Sequence, residues 1–202
     1  GVQTCALPIF TQKVLKFCEM MTRRGHDVIH YGHEDSEVVC TEHVTVLDRA
    51  TYTRIYGDYD WKVKNFKFDL RDEAYQTYNE NTIREIRARQ QANDFVLAFW
   101  GQGNKAICDA LSDMRIVEPG IGYSQAFAPF RVYESYALMH ANLGLDRVQY
   151  SCNMPWYHVV IPNYFDPRDF EFSDKKQDYF LCLGRITRAK GVDLAINVTD
   201  HI

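Results

Sequence analysis

Long apolar runs are missing from this sequence of 202 residues. No stretch approaches the roughly 18 continuous apolar residues that a membrane-spanning helix needs, so no transmembrane segment is predicted. Internal repeats and low-complexity tracts are also missing, which argues against a repeat architecture and against long disordered segments. Hydrophobic residues make up 46% of the chain and charged residues 25%, a balance typical of an ordinary soluble globular protein.

Cysteine pairs of the C-x-x-C type are missing too, although the chain has six cysteines. A disulfide-rich secreted fold is therefore not indicated, and reduced thiols in a cytoplasmic protein are the simplest interpretation. His33, Cys40 and His43 fit no zinc spacing, so we predict no metal. The net charge of −4 gives no general attraction to nucleic acid, and we predict no such partner. Peripheral contact with a membrane stays open.

The first nine residues, GVQTCALPI, have no charge and no hydrophobic period. They match the in-frame translation of a short-read sequencing adapter, so we interpret residues 1–9 as a non-native scar. A natural coil that leads into the first helix is the alternative. On the first interpretation, the native start of the protein and its first strand lie outside this sequence.

Helix and strand patterns alternate along the rest of the chain. An amphipathic helix is predicted to end at Gly25, and the strand DVIHYG follows it. A long amphipathic helix over residues 71–93 precedes the apolar strand DFVLAFW, whose composition is typical of a strand buried in a parallel sheet. Further strands are predicted at 43–47, 115–119 and 157–162, and further helices at 105–112 and 130–143.

This alternation favours βαβ units, so we predict an α/β fold with a Rossmann-like parallel sheet and helices on both faces. In such sheets, ligands bind beyond the carboxyl ends of the strands. The polar stretch FDPRDFEFSDKKQ lies between two predicted apolar strands and is interpreted as a linker. We therefore predict a first domain over residues 10–173 and the first strand–helix unit of a second Rossmann-like domain over residues 174–202.

The most informative stretch is FLCLGRITRAKGVDLAI. Its apolar strand is predicted to end at Gly184 and Arg185, and Lys190 and Gly191 lie at the start of the next helix. Two cations across a strand-to-helix turn, beside the N–H groups of a helix N-terminus, favour the binding of a diphosphate. A solvated basic turn is the alternative.

Two patterns in this region resemble those of group 1 (family 4) glycosyltransferases of the GT-B fold. One is GR-x-x-x-x-KG after an apolar strand, which is followed by an amphipathic helix. The other, I-P-N-x-x-D-x-x-x-F, precedes it at the family's domain junction. Its matching residues are Ile161, Pro162, Asn163, Asp166 and Phe170. The resemblance is specific over roughly residues 160–198 and only general, by element order, upstream.

The resemblance implies transfer of a sugar from a nucleotide-diphosphate sugar to an acceptor hydroxyl, with retention of anomeric configuration and without a metal or other cofactor. Arg185 and Lys190 would hold the donor phosphates and stabilise the departing diphosphate, beside Gly184 and Gly191. The acceptor, which is a glycan, a lipid or a small molecule, stays open. The family's glycine-rich first loop and its distal acidic motif are not in this sequence. We therefore expect a protein of these 202 residues alone to lack transfer activity.

Weaker signals follow two predicted strands in the middle of the chain. The family's corresponding segment shapes the cleft between the two domains. The candidate cleft residues after the strand RIV are Glu118, Gly120, Gly122, Tyr123 and Arg131. A tight turn, with a helix-surface pair between Arg131 and Glu134, is an equally good interpretation.

The loop FWGQGN follows another predicted strand end. Trp100 is a candidate to stack on a sugar and Gly101 to admit a ligand to the backbone, whereas a tryptophan that caps the core is the alternative. The G-x-G here lacks the third glycine of a dinucleotide fingerprint. Two other functions stay open: another Rossmann-like enzyme, such as a nucleotide-sugar epimerase or a dinucleotide-dependent reductase, and a non-catalytic α/β binding module.

Overall fold

The structure is a computed structural model that describes residues 9–57, 69–146, 155–182, 186 and 188–200. The chain divides into two compact units, residues 1–163 and 164–202, and each is described by itself. The predicted boundary, between residues 173 and 174, lies ten residues further along the chain.

Helices and strands alternate through the first unit. The helices are α1 (Ile9–Arg23), α2 (Arg49–Tyr56), α3 (Glu73–Arg89), α4 (Lys105–Ala110) and α5 (Tyr136–Leu145). The strands are β1 (Ile29–His33), β2 (Glu42–Leu47), β3 (Phe95–Leu97), β4 (Arg115–Ile121), β5 (Phe130–Tyr133) and β6 (Val159–Val160). A 3-10 helix over Gly101–Asn104 leads into α4.

All strand pairs in the described residues are parallel. Strands β1 and β2 form one sheet, and β3, β4, β5 and β6 form a second sheet in that order. The predicted α/β class, with parallel strands flanked by helices, is confirmed. Within the part of the chain that the structure describes, no backbone ladder joins β1 to β3.

Helix α3 connects the two sheets by packing. The Asn81 amide donates a hydrogen bond to the carbonyl of Val46 in β2 at 2.9 Å. Ile86 is buried against α4, and both Tyr31 of β1 and Val96 of β3 pack on the same cluster. Because burying one large apolar side chain stabilises the fold by about 1.5–3 kcal/mol, this shared cluster is a strong link between the sheets.

The long helix predicted over residues 71–93 is confirmed as α3, and its ends have clear causes. The Asp72 carboxylate accepts a hydrogen bond from the backbone N–H of Tyr75 at 2.8 Å, which satisfies a donor of the first turn. At the other end, Gln90 has a φ of −55° and a ψ of 139°, an extended conformation that ends the helix after Arg89, four residues earlier than predicted.

The helix predicted over residues 130–143 is wrong in its first part. Residues 130–133 form β5, which pairs with β4, and the helix begins only after Ser135, whose hydroxyl accepts a hydrogen bond from the N–H of Leu138 at 3.3 Å. The aromatic and β-branched residues of FRVY favour a strand, and the serine cap sets the helix start. The predicted helix-surface pair of Arg131 and Glu134 is therefore also wrong.

The second unit has little regular structure in its described residues. The Asp166 carboxylate accepts a hydrogen bond from the N–H of Arg168 at 2.9 Å and caps a 3-10 helix over Pro167–Asp169. A second 3-10 helix, Arg188–Lys190, precedes α6 (Val192–Thr199). The strand predicted before Gly184 is not formed over residues 179–182. No helix in the described part of either unit has the length and apolar character required to cross a bilayer.

His30 and His43 form a close pair between β1 and β2. Their Nδ1 atoms are 2.9 Å apart, and their rings stack with centroids 5.1 Å apart. One ring must donate and the other accept, so the contact requires at least one neutral imidazole. Burial, followed by the charge of His43, lowers the pKa of His30 to about 4 from an ordinary value of 6.5.

This pair predicts a loss of stability in mild acid. Between pH 6.5 and about 4 the unfolded chain binds a proton at His30 that the folded chain does not, so the free energy of unfolding falls as the pH falls through that window. We expect His30→Gln to flatten this part of the stability curve, measured by urea unfolding at successive pH values. His140→Gln makes the same substitution at an exposed position of α5 and provides the control. An unchanged slope in His30→Gln would contradict the prediction.

Candidate functional site

The carboxyl ends of β3, β4 and β5 meet at one edge of the second sheet. Trp100 and Gly101 follow β3, Gly122 and Tyr123 follow β4, and Glu134 follows β5. Ligands of parallel α/β sheets bind beyond this edge, because the connecting loops and helix N-termini gather there. We refer to these five residues, with Lys13, Glu118, Gly120 and Arg131, as the carboxyl-edge cluster.

The Glu118 carboxylate is buried inside this cluster, and none of the residue is exposed. One oxygen accepts hydrogen bonds from the backbone N–H groups of Phe127 and Ala128 at 2.6 and 2.8 Å. The other accepts a hydrogen bond from the Tyr123 hydroxyl at 2.8 Å. A buried carboxylate is costly unless donors surround it, and here the chain supplies three. Glu118 therefore holds the loop after β4 in place.

Asn142 of α5 supports the same loop from the other side. Its side-chain oxygen accepts a hydrogen bond from the N–H of Ala126 at 3.1 Å, and its amide donates to the carbonyls of Tyr123 and Leu138 at 3.0 Å each. The connection between β4 and β5 has only eight residues, 122–129. Parallel strands usually need a connection of about a dozen residues that contains a helix. Side chains from elsewhere satisfy this loop's backbone groups instead.

Tyr123 packs directly on Gly101. A Cβ atom at Gly101 would lie 2.9 Å from the tyrosine ring, and the glycine has a φ of +55°, so only glycine fits here. Burial, followed by the negative charge of Glu118, raises the pKa of Tyr123 above its usual range. The hydroxyl therefore stays protonated at neutral pH and remains a donor to Glu118.

An ion pair of Lys13 and Glu134 connects α1 to the end of β5. The two side chains are only 12% and 18% exposed. The Lys13 ammonium also donates to the carbonyl of Gly120 at 3.1 Å, and burial lowers the pKa of Lys13. A Cβ atom at Gly122 would lie 2.8 Å from the Glu134 carboxylate, so a side chain at this position would push the carboxylate from its present place. Two buried charges thus fix the first turns of α1 to the sheet edge.

Trp100 has a fixed orientation. Its indole N–H donates to the Tyr75 hydroxyl at 2.7 Å. A Cβ atom at Gly103 would lie within 2.0 Å of the indole ring, so the ring occupies the space beside that glycine. Trp100 remains 41% exposed. The ring predicted to stack on a sugar therefore lies at the carboxyl edge with part of its surface accessible.

Arg131 lies in β5 in register with Glu118 of β4. Its guanidinium donates to the carbonyl of Ala128 at 2.8 Å and pairs with the Asp146 carboxylate at 2.5 Å. The side chain is mostly buried. Arg131 therefore fastens the end of the β4–β5 loop to the end of α5.

The predicted donor-side residues belong to the second unit. Lys190 is exposed at the end of the 3-10 helix, and Gly191, with a φ of +64°, immediately precedes α6. Gly184 and Arg185 lie outside the described residues. The structure thus brings the predicted first-unit residues together and describes two of the four donor-side residues.

No protein-family model, no curated protein and no solved structure matches the chain. Among the described residues, no group of three or more His, Cys, Asp or Glu side chains is placed to hold a metal ion. The candidate site is therefore defined by its position in the fold and by its hydrogen bonds.

Sequence reasoning missed three residues of this site. Lys13 and Glu134 are far apart in the chain, and nothing in their local sequence indicates that they pair. Asn142 did carry a signal, because it is a polar residue within the apolar helix YALMHANLGL, where a buried amide needs partners.

Glu118 predicts a sharp contrast between two substitutions. Glu118→Gln keeps an oxygen for the N–H groups of Phe127 and Ala128, and its amide can donate to the Tyr123 hydroxyl. Glu118→Met leaves both N–H groups buried without an acceptor, at about 1–3 kcal/mol for each group. We expect urea unfolding to show Glu118→Met at least about 2 kcal/mol less stable than Glu118→Gln. Equal losses would contradict the role assigned to the carboxylate.

The Lys13–Glu134 pair predicts a second contrast. Glu134→Gln removes the negative charge beside the mostly buried Lys13 ammonium and should lower the free energy of unfolding by about 3 kcal/mol. Asp109→Asn makes the same chemical change in an exposed pair with Lys105 on α4 and should cost less than about 0.5 kcal/mol. Chemical denaturation of both variants measures the difference. Similar losses in the two would show that burial of the Lys13 pair has no special weight.

Proposed function

We propose that this protein is a glycosyltransferase that uses a nucleotide-diphosphate sugar as its donor. In this reaction the bond between the anomeric carbon and the diphosphate oxygen breaks, and a bond forms from that carbon to an acceptor oxygen. The acceptor hydroxyl loses its proton, and the nucleotide diphosphate leaves. Arg185 and Lys190 offset the charge that develops on the leaving group.

The observation that carries this proposal is the placement of Lys190. Its side chain is exposed, and Gly191 alone separates it from the first residue of α6. A charge-assisted contact of such a lysine with a phosphate contributes about 1.5–3 kcal/mol, and the N–H groups of a helix N-terminus add to it. The GR-x-x-x-x-KG and I-P-N-x-x-D-x-x-x-F patterns, in this order, support the same interpretation.

In this proposal the two units have different partners. The first unit takes the acceptor at the carboxyl edge, and the second takes the donor. Transfer proceeds with retention of anomeric configuration and without a metal or other cofactor, as the family resemblance implies. A compartment that keeps thiols reduced suits the free cysteines of the described residues, so the enzyme is proposed to be cytoplasmic. These are Cys18, Cys40, Cys108 and Cys182.

Donor binding tests the proposal in the protein expressed from its complete reading frame. Calorimetry with uridine, guanosine and adenosine diphosphates identifies the nucleotide that binds. We expect Lys190→Ala to raise the Kd of that nucleotide about tenfold, because one charge-assisted phosphate contact is lost.

Arg188→Ala is the matched control, since it removes a positive charge from the same 3-10 helix. It should change the Kd less than about twofold, as expected for an exposed charge without a specific partner. Equal effects of the two substitutions would favour a general basic turn, and the absence of nucleotide binding would refute the proposed donor.

A further inference from the structure

An aromatic pocket of about 190 Å³ lies between α2, α3 and the 3-10 helix that follows β3. It is near the carboxyl ends of β2 and β3, because Leu47 ends β2 and Trp100 follows β3. Its walls include Leu47, Tyr52, Tyr56, Ala74, Tyr78 and Trp100. Among the described residues that line it, none has a charged side chain.

The size and surface of the aromatic pocket limit what it can hold. Nearly all of the accessible surface inside it is apolar. An apolar cavity of about 150 Å³ is large enough to take up benzene, so a pocket of this volume has room for one six-membered ring and a small substituent. A charged ligand is disfavoured, because the described lining residues supply no group of opposite charge to offset its loss of water.

Polar atoms around the aromatic pocket form hydrogen bonds with other residues of the chain. The Tyr56 hydroxyl donates to the Asp72 carboxylate at 2.6 Å, and the Tyr75 hydroxyl accepts the hydrogen bond from Trp100 at 2.7 Å. The rings therefore present carbon surfaces to the pocket. Asn104 also lines it, and its side-chain amide makes no hydrogen bond in the described part of the chain.

We propose that the aromatic pocket binds one uncharged aromatic ring that carries a hydroxyl group, with the ring against the tyrosines and Trp100 and the oxygen at Asn104. A sugar ring fits less well, because several of its hydroxyls would lose water, whereas the described lining residues offer a single side-chain amide as a partner. Aromatic rings gain additional stabilisation from edge-to-face and offset contacts with other aromatic rings.

For the proposed sugar transfer, the aromatic pocket indicates a phenol as the class of acceptor substrate. Assigning the ring to the acceptor rests on the glycosyltransferase function proposed above. The binding of the ring itself does not depend on that function. It depends only on the walls of the pocket and on Asn104.

Phenol is the probe that tests this site, and saturation-transfer NMR with the whole chain measures its Kd. Ala74→Leu places a larger side chain into the pocket from α3 and should weaken phenol binding at least about tenfold. Ala88→Leu makes the same change at an exposed position of the same helix and should leave the Kd unchanged. Thermal unfolding checks that both variants are folded.

Asn104→Ala provides a second test, which leaves the side chains that α3 presents to the pocket unchanged. This substitution should raise the Kd of phenol about two- to tenfold, as expected for the loss of one hydrogen bond, and leave the Kd of toluene unchanged. The proposal is overturned if native protein does not bind phenol, if Ala74→Leu binds it as the native chain does, or if Asn104→Ala weakens both probes equally. Preferential binding of methyl β-glucoside would also overturn it. Phenol binding without sugar transfer to phenol in the complete enzyme would count against the acceptor assignment and leave the ring site standing.

Discussion

The buried carboxylate of Glu118 is the contact on which the carboxyl edge depends. Parallel strands β4 and β5 are joined by a loop too short for a helix, so the backbone groups of residues 122–129 lack the partners that a helix would provide. Glu118 accepts hydrogen bonds from two of these N–H groups. Asn142 accepts one from a third N–H and donates one to a carbonyl of the loop. Without them the loop would bury unsatisfied polar groups, and the position of Tyr123 at the edge would not be defined.

The Lys13–Glu134 pair acts on the same edge through charge. Taking both groups out of water is expensive, and their attraction repays this only where the geometry is good and further hydrogen bonds are made. The carbonyl of Gly120 supplies such a bond, and the missing side chain of Gly122 leaves room for the carboxylate. The end of β4 is therefore rich in glycine because side chains of the same protein pack closely against it. A glycine at a strand end does not by itself indicate space for a ligand.

The sequence predicts elements well where periodicity is long and poorly where partners are distant. The repeat of apolar residues was enough to predict α3, and the alternation of elements was enough to predict the α/β class. The strand at residues 130–133 was missed, because four residues of FRVY are too few for a period and their pairing with β4 is non-local. Glu118 and Arg131 were predicted for the cleft because the corresponding segment of the resembling family shapes it. Their burial depends on donors and acceptors that only the folded loop brings near.

Trp100 belongs to the carboxyl-edge cluster and also forms a wall of the aromatic pocket. Its indole N–H is held by Tyr75, and Gly103 leaves space for its ring, so its orientation is set before any ligand arrives. One neighbour, Gly101, contacts Tyr123 of the carboxyl-edge cluster, while Trp100 itself forms a wall of the aromatic pocket. A ring bound in that pocket would therefore lie beside an edge whose loop is fixed by Glu118. Such an arrangement loses little conformational entropy on binding, because the side chains that meet the ligand are already ordered by the fold.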